Sequence, residues 1–76
     1  MSLCDLEIGL EAVIKNINHN DIIKRRLYDM GFTEGARVKA ELNSPSRLIK
    51  GYLIRGSLIA LRNNDAKKII VSDVSE

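Results

Sequence analysis

Metal coordination is the chemistry that histidine and cysteine would bring, and the chain carries one of each, His19 and Cys4. A structural zinc site takes four Cys or His ligands, and a catalytic one at least three protein ligands. Neither a His-x-x-x-His nor a Cys-x-x-Cys seed is present. His19 therefore reads as a polar turn residue, and Cys4 as a small apolar side chain near the first turn. Nucleophilic catalysis needs an activated Ser or Cys, a base and an orienting group, and His19 would have to be the base. No local signature supports that arrangement. Gly51-Tyr52-Leu53-Ile54-Arg55-Gly56-Ser57 has a superficial likeness to a phosphate loop. It lacks the lysine before the serine, and it lies across a strand and a hairpin turn, not at a helix N-terminus. The expectation is a non-enzymatic protein with no bound cofactor, no tightly held iron and no nucleotide hydrolysis.

Two basic features remain. Arg37, Lys39, Arg47, Lys50, Arg55 and Arg62 could share a surface for nucleic acid, with Tyr52 as the one aromatic on a predicted strand. Single-strand binders usually add several stacking aromatics to a basic groove. Here aromatics make up 4% of the chain, and 12 basic residues against 10 acidic ones leave a net charge of +2, with the signs interleaved. A strong phosphate footprint is not expected from that balance. The second feature is Arg26, which lies within the apolar stripe of a predicted helix. A charge there is costly unless it is paired or can reach water. It is expected to be largely buried, with its guanidinium bonding carbonyls or a carboxylate at the rim of the fold.

The elements that position these residues are short. Ser2 and Asp5 have capping spacing and open one helical turn, closed near Gly9. Residues 12–17 are rich in β-branched side chains and read as a strand. The cluster Asn18-His19-Asn20-Asp21 caps a helix over residues 22–30. Its periodicity puts Ile22, Ile23, Leu27 and Met30 on the core face and Lys24, Arg25, Tyr28 and Asp29 on the wet face. Asp21 and Arg25 are spaced for an ion pair. Gly31 stands where a left-handed residue ends a helix, so Phe32 should fold back onto Leu27. Gly35 suits the third position of a type II turn. Ala36, Val38, Ala40 and Leu42 then alternate with polar residues as a half-buried strand. Residues 43–46 read as a loop. Residues 47–54 form a strand with Gly51 as a bulge or bend. Arg55-Gly56 is a tight hairpin turn. Residues 57–62 make a strand, 63–66 a turn of 3₁₀ type, and 67–74 a last strand with Ile69 and Val71 on one face. Five short strands would leave two open edges in a flat sheet. A small, partly open barrel, mainly β with one helix between strands 1 and 2, resolves this.

Residues 1–76 are expected to form a single domain. A domain of this size buries only about 60% of its unfolded surface. The 45% hydrophobic content suffices for a compact core. A secreted domain this small would ordinarily be stapled by disulfides, and a lone cysteine points instead to a reducing cytoplasm. The opening Met1-Ser2-Leu3-Cys4-Asp5 has neither a basic nor an apolar leader region, so it is not read as a signal peptide.

Arg25-Arg26-Leu27-Tyr28-Asp29-Met30-Gly31-Phe32, followed by Gly35-Ala36-Arg37-Val38, resembles the helix-to-strand signature of FeoA domains. Ile59-Ala60-Leu61-Arg62, then Ala66 and Ile69-Ile70-Val71, resembles their C-terminal part, and Val13 to Ile17 after Gly9 matches their first strand. The resemblance covers nearly the whole chain. It implies an SH3-like barrel and a role in ferrous-iron uptake beside FeoB, a membrane transporter with a cytosolic GTP-binding domain. It marks Arg26, Leu27, Gly31, Phe32, Gly35, Leu61 and Arg62 as structural positions. The exposed helix residues Lys24, Arg25, Tyr28 and Asp29 are the expected partner contacts. Glu34 stands where the family often has proline, and residues 46–52 lack its Gly-Asp-Pro-like loop, so that loop's role is not carried over. The similar C-terminal domain of iron-dependent repressors supports a second reading, a free regulatory or nucleic-acid-binding barrel. Weak self-association through an open strand edge is also compatible with the pattern.

Overall fold

Alternating apolar residues organise the chain into five strands, in a computed structural model that describes residues 1–72. In chain order the elements are a 3₁₀ turn Leu3–Asp5, strand β1 Glu11–Ile17, helix α1 Asp21–Asp29, β2 Arg37–Asn43, β3 Ile49–Ile54, β4 Ser57–Arg62, the helical turn α2 Asn63–Ala66 and β5 Ile69–Val71. The strands pair antiparallel in the order β4-β3-β2-β1-β5. This is the expected small barrel, with α1 between the first two strands. β3 starts two residues later than predicted, and residues 63–66 are a turn of α-helix, not 3₁₀. Val74, expected in the last strand, lies outside the described residues.

Two bulges curl the sheet. β1 is shared between its two halves: Ala12 pairs with Val38 of β2, whereas Ile17 pairs with Ile69 of β5. Lys15 is the extra residue where β1 changes partner, and Glu41 is the extra residue between Ala40 and Leu42 of β2. Each bulge bends its strand and increases the local twist. The second one also breaks the predicted alternation. Val38 and Ala40 are buried, but Leu42 emerges on the outer face, 49% exposed. Gly51, expected to carry the irregularity, lies opposite it in a regular strand; a Cβ there would stand 3.1 Å from Leu42 Cγ.

The core is aliphatic around one aromatic pair. The rings of Phe32 and Tyr52 meet edge to face, 6.4 Å between centroids. Leu3, the first residue of the 3₁₀ turn, and Leu6, just after it, are fully buried in the same core. Burying that turn removes its carbonyls from water, and β3 supplies their partners. Lys50 Nζ donates to the carbonyls of Cys4 and Leu6, each at 2.9 Å. Tyr52 Oη donates to the Leu3 carbonyl at 3.4 Å. Burial pushes the Tyr52 phenol well above its ordinary range, helped by the proximity of Cys4 and Asp5. These positions remove two candidates from the disfavoured nucleic-acid surface. Lys50 was grouped with a basic surface and Tyr52 with base stacking, yet both are buried, because they share inward parity with Ile54 along β3.

α1 begins where Asn20 Oδ1 accepts from the Ile23 amide at 3.0 Å. It ends in the predicted Schellman geometry. Gly31 has φ 102°, its amide donates to the Tyr28 carbonyl, and the Phe32 amide donates to the Leu27 carbonyl, both at 2.9 Å. A turn with Gly35 at φ 89° follows, closed by the Ala36 amide on the Thr33 carbonyl. The core face of α1 is narrower than its periodicity suggests. Leu27 is buried and Ile23 half-buried, while Ile22 is 76% exposed and Met30 is also exposed. Arg26, expected to be buried and hydrogen-bonded, is exposed and makes no side-chain hydrogen bond among the described residues. Phe32 supplies the bulk that a wider helix face would otherwise have provided, so the helix rests on one edge. The Asp21–Arg25 ion pair does not form.

Two stability measurements follow from this packing. Lys50→Met keeps the apolar stem but leaves two carbonyls without a donor. It should cost about 2 kcal/mol, a fall of roughly 10 °C in Tm for a domain of this size. Gly31→Ala forces a Cβ into the left-handed region and against the Arg55 side chain, 3.1 Å away at Cδ. It should cost about 1 kcal/mol by denaturant unfolding. An unchanged midpoint in either experiment contradicts the role given to that residue.

Candidate docking surface

The four expected contact residues occupy the outer side of α1, and the turn that follows organises two of them. Tyr28 Oη donates to Glu34, 2.7 Å from Oε1 and 3.0 Å from Oε2. Lys24 Nζ lies 3.9 Å from Glu34 Oε2 and 5.9 Å from the centroid of the Tyr28 ring. The Gly31–Phe32 reversal carries the chain back along the helix, which brings Glu34 beside a residue six positions earlier. Arg25 and Asp29 are exposed and join neither group.

Residue pattern alone missed Glu34. It was visible only as a departure from proline. The helix-stop geometry, which turns residues 33–36 back toward Tyr28, was the available signal. The β3–β4 hairpin also reaches this surface. Arg55, with φ 49°, and Gly56, with φ 80°, form its mirror-image turn, and Arg55 Nη2 donates to Thr33 Oγ1 at 3.1 Å.

Open hollows ring the helix. One of about 430 Å³ is lined by Asp21, Ile22, Arg25, Arg26 and Asp29. Another of about 380 Å³ runs past Tyr28, Met30, Gly31 and Arg55. The surface thus combines both charge signs with exposed Ile22, Tyr28 and Met30. Such a mixture can bind a protein surface through an apolar centre and a polar rim. His19 is occupied elsewhere: its Nε2 donates to the Asp65 carbonyl at 2.8 Å, tying the loop before α1 to α2. Among the described residues no group of three or more His, Cys, Asp or Glu is placed to hold a metal ion. Among them, too, no helix is long and apolar enough to cross a membrane.

The architecture is that of a small SH3-like β-barrel. Comparison with known proteins agrees: the FeoA domain model matches residues 1–73, and the chain belongs to the FeoA family. A curated relative is the Fe(2+) transport protein A/Fe(2+) transporter FeoB fusion protein of Porphyromonas gingivalis, 32% identical over 75 residues. That match covers 99% of this chain and 9% of the fusion protein. The FeoA protein of Chlorobium tepidum superposes with a TM-score of 0.88 at 30% identity, covering 93% of this chain and 68% of that one. A zinc complex of FeoA from Stenotrophomonas maltophilia, described as a prokaryotic SH3 domain protein, gives a TM-score of 0.82 at 30% identity, covering 95% and 89%. A manganese-dependent transcriptional repressor shares the fold alone, with a TM-score of 0.83 at 17% identity over 93% of this chain and 39% of that one.

The Tyr28–Glu34 bond fixes the pH behaviour of this surface. It is the main cause holding the Glu34 carboxyl below its ordinary range, and the main cause raising the Tyr28 phenol above its own. The sign follows for each. The contribution of Glu34 is present above the ordinary carboxylate range and is lost as pH falls through its lowered value. The contribution of Tyr28 is present below the ordinary phenol range and is lost as pH rises through its raised value. Tyr28→Phe should therefore move the Glu34 titration upward, measured by carboxyl-detected NMR. A Glu34 midpoint unchanged by the substitution contradicts the bond.

Proposed function

We propose that this chain is a cytosolic accessory module of ferrous-iron uptake that docks, without catalysis, onto the cytosolic GTP-binding part of a FeoB-type transporter. The observation that carries the reading is the Porphyromonas relative, which joins a region similar to this chain to a FeoB transporter in one polypeptide. Covalent linkage of two modules holds them at high effective concentration. A separate chain of the same family would reach the same partner by affinity instead. The lone cysteine supports a reducing compartment.

The docking face in this proposal is the outer side of α1 with the turn at Glu34. Lys24 and Tyr28 are held in place there before any partner arrives, which lowers the entropy lost on binding. Arg25 and Asp29 provide free charge on the adjoining ridge of the helix. With no catalytic constellation, any effect on the transporter must come from tighter binding to one of its states. The repressor-like reading has less support. Its stacking candidate Tyr52 and its basic candidate Lys50 are both inside the barrel.

The test is calorimetric titration of the protein into the isolated cytosolic domain of a FeoB-type transporter, with GDP and with a GTP analogue. Binding should differ between the two nucleotide states and fall at least about tenfold with Arg25→Glu or Tyr28→Ala. Absence of binding in both states, repeated with the full transporter in detergent, overturns the proposal. Full-strength binding by both variants keeps the partner and moves the face.

A further inference from the structure

The outer face of the β3–β4 hairpin, with Leu42 of β2, is apolar where a sheet face open to solvent is ordinarily polar. Leu42, Leu53 and Leu58 are 49%, 37% and 56% exposed, and Ile49 is exposed beside them. Leu53 and Leu58 are cross-strand partners, as are Gly51 and Ala60. Leu42 and Leu58 close over Gly51, whose missing Cβ would stand 3.1 Å from Leu42 Cγ and 3.4 Å from Leu58 Cδ1. The result is one continuous apolar strip that ends at β4.

β4 is also an edge strand, and among the described residues nothing pairs with its outer side. The two-residue hairpin makes Ile54 and Ser57 a hydrogen-bonded pair, so the bonding alternates from there. The amides and carbonyls of Leu58 and Ala60 consequently point away from β3. Proteins usually blunt such an edge with an inward charge, a proline or a bulge. β4 has none of these, and its pairing with β3 is regular throughout. Charge completes the pattern. Residues 42–62 contain Arg47, Lys50, Arg55 and Arg62 and no acidic residue. Lys50 is buried, while Arg55 and Arg62 are exposed and bracket β4 at its two ends.

We infer that the outer edge of β4 is a strand-addition site for an extended segment of a partner protein, with apolar residues at alternate positions and an acidic residue near each end. Main-chain bonds to Leu58 and Ala60 would supply affinity, and side chains facing the leucine strip would supply register. One carboxylate would meet Arg62 at the far end of β4, and the other would reach the hairpin turn at Arg55. A second copy of the chain fits less well, because its own β4 hairpin carries only positive charge. The site shares Arg55, which also bonds Thr33, with the α1 surface, but the β4 edge itself stands whether or not the helix contacts a transporter.

The experiment uses the capped octapeptide Glu-Thr-Val-Thr-Val-Thr-Val-Glu and a counterpart with both glutamates replaced by lysine. The acidic peptide should slow amide exchange at Leu58 and Ala60 by at least about tenfold, and the lysine peptide should bind at least about tenfold more weakly. Ala60→Pro should abolish the effect while leaving the fold intact by circular dichroism, since that amide makes no bond to β3. Leu58→Glu, which repels the peptide without touching the backbone, should abolish it as well. Unchanged exchange at both amides, or equal binding of the two peptides, overturns the inference. It is also overturned if sedimentation shows concentration-dependent dimers that Ala60→Pro abolishes, because the occupant is then a second copy. Protection produced instead by an oligonucleotide or anionic vesicles, with no response to the acidic peptide, overturns it too.

Discussion

Lys50 is the interaction on which the rest of the barrel depends. A chain of this size closes a core only if something fills the gap between the ends of its sheet. The 3₁₀ turn does so with Leu3 and Leu6, but it carries backbone carbonyls in with it. An unpaired buried carbonyl costs on the order of 1–3 kcal/mol, so the plug needs donors from within the barrel. Lys50 answers two of them at 2.9 Å with one ammonium, and Tyr52 reaches a third. Both come from β3, so the strand at the centre of the meander also anchors the N-terminal turn.

The end of α1 is the second organising point. Because Gly31 takes the left-handed conformation, Phe32 enters the core against Tyr52 and the helix leans on the barrel by little more than Leu27 and Ile23. A lightly seated helix leaves most of its circumference in solvent. The same reversal delivers Glu34 to Tyr28, which makes part of that surface rigid. Packing economy and surface order thus have one cause.

Local signals in the sequence were legible and non-local ones were not. The helix cap at Asn20, the stop at Gly31, the turn at Gly35 and the hairpin at Arg55-Gly56 each depend on a few neighbouring residues, and each was readable. Arg26 was misread because a helical wheel assumes a wide buried stripe, and how much of the stripe is covered depends on Phe32 and the barrel. Lys50 had a readable signal that was overlooked: it alternates inward with Tyr52 and Ile54. Leu42 was unreadable, since the bulge at Glu41 depends on the register of the partner strand. Of the candidate surface, the four helix residues were found from periodicity. The Glu34 clamp required the path of the chain after the helix.

The sharing of β1 between two partners has a consequence for how the chain comes off the ribosome. Residues of β2, β3 and β4 meet through short loops, so their meander can form early. β5, by contrast, pairs with β1, and Val71 and Ile70 also pair with Met1 and Ser2 across almost the whole described chain. Contacts that distant in sequence close late, because the entropy of the intervening loop is lost before they form. Until β5 emerges, the second half of β1 has no ladder and the Leu3–Leu6 plug has no strand to close against. A chain made only as far as β4 is therefore a meander with an open core, and β5 acts as its latch.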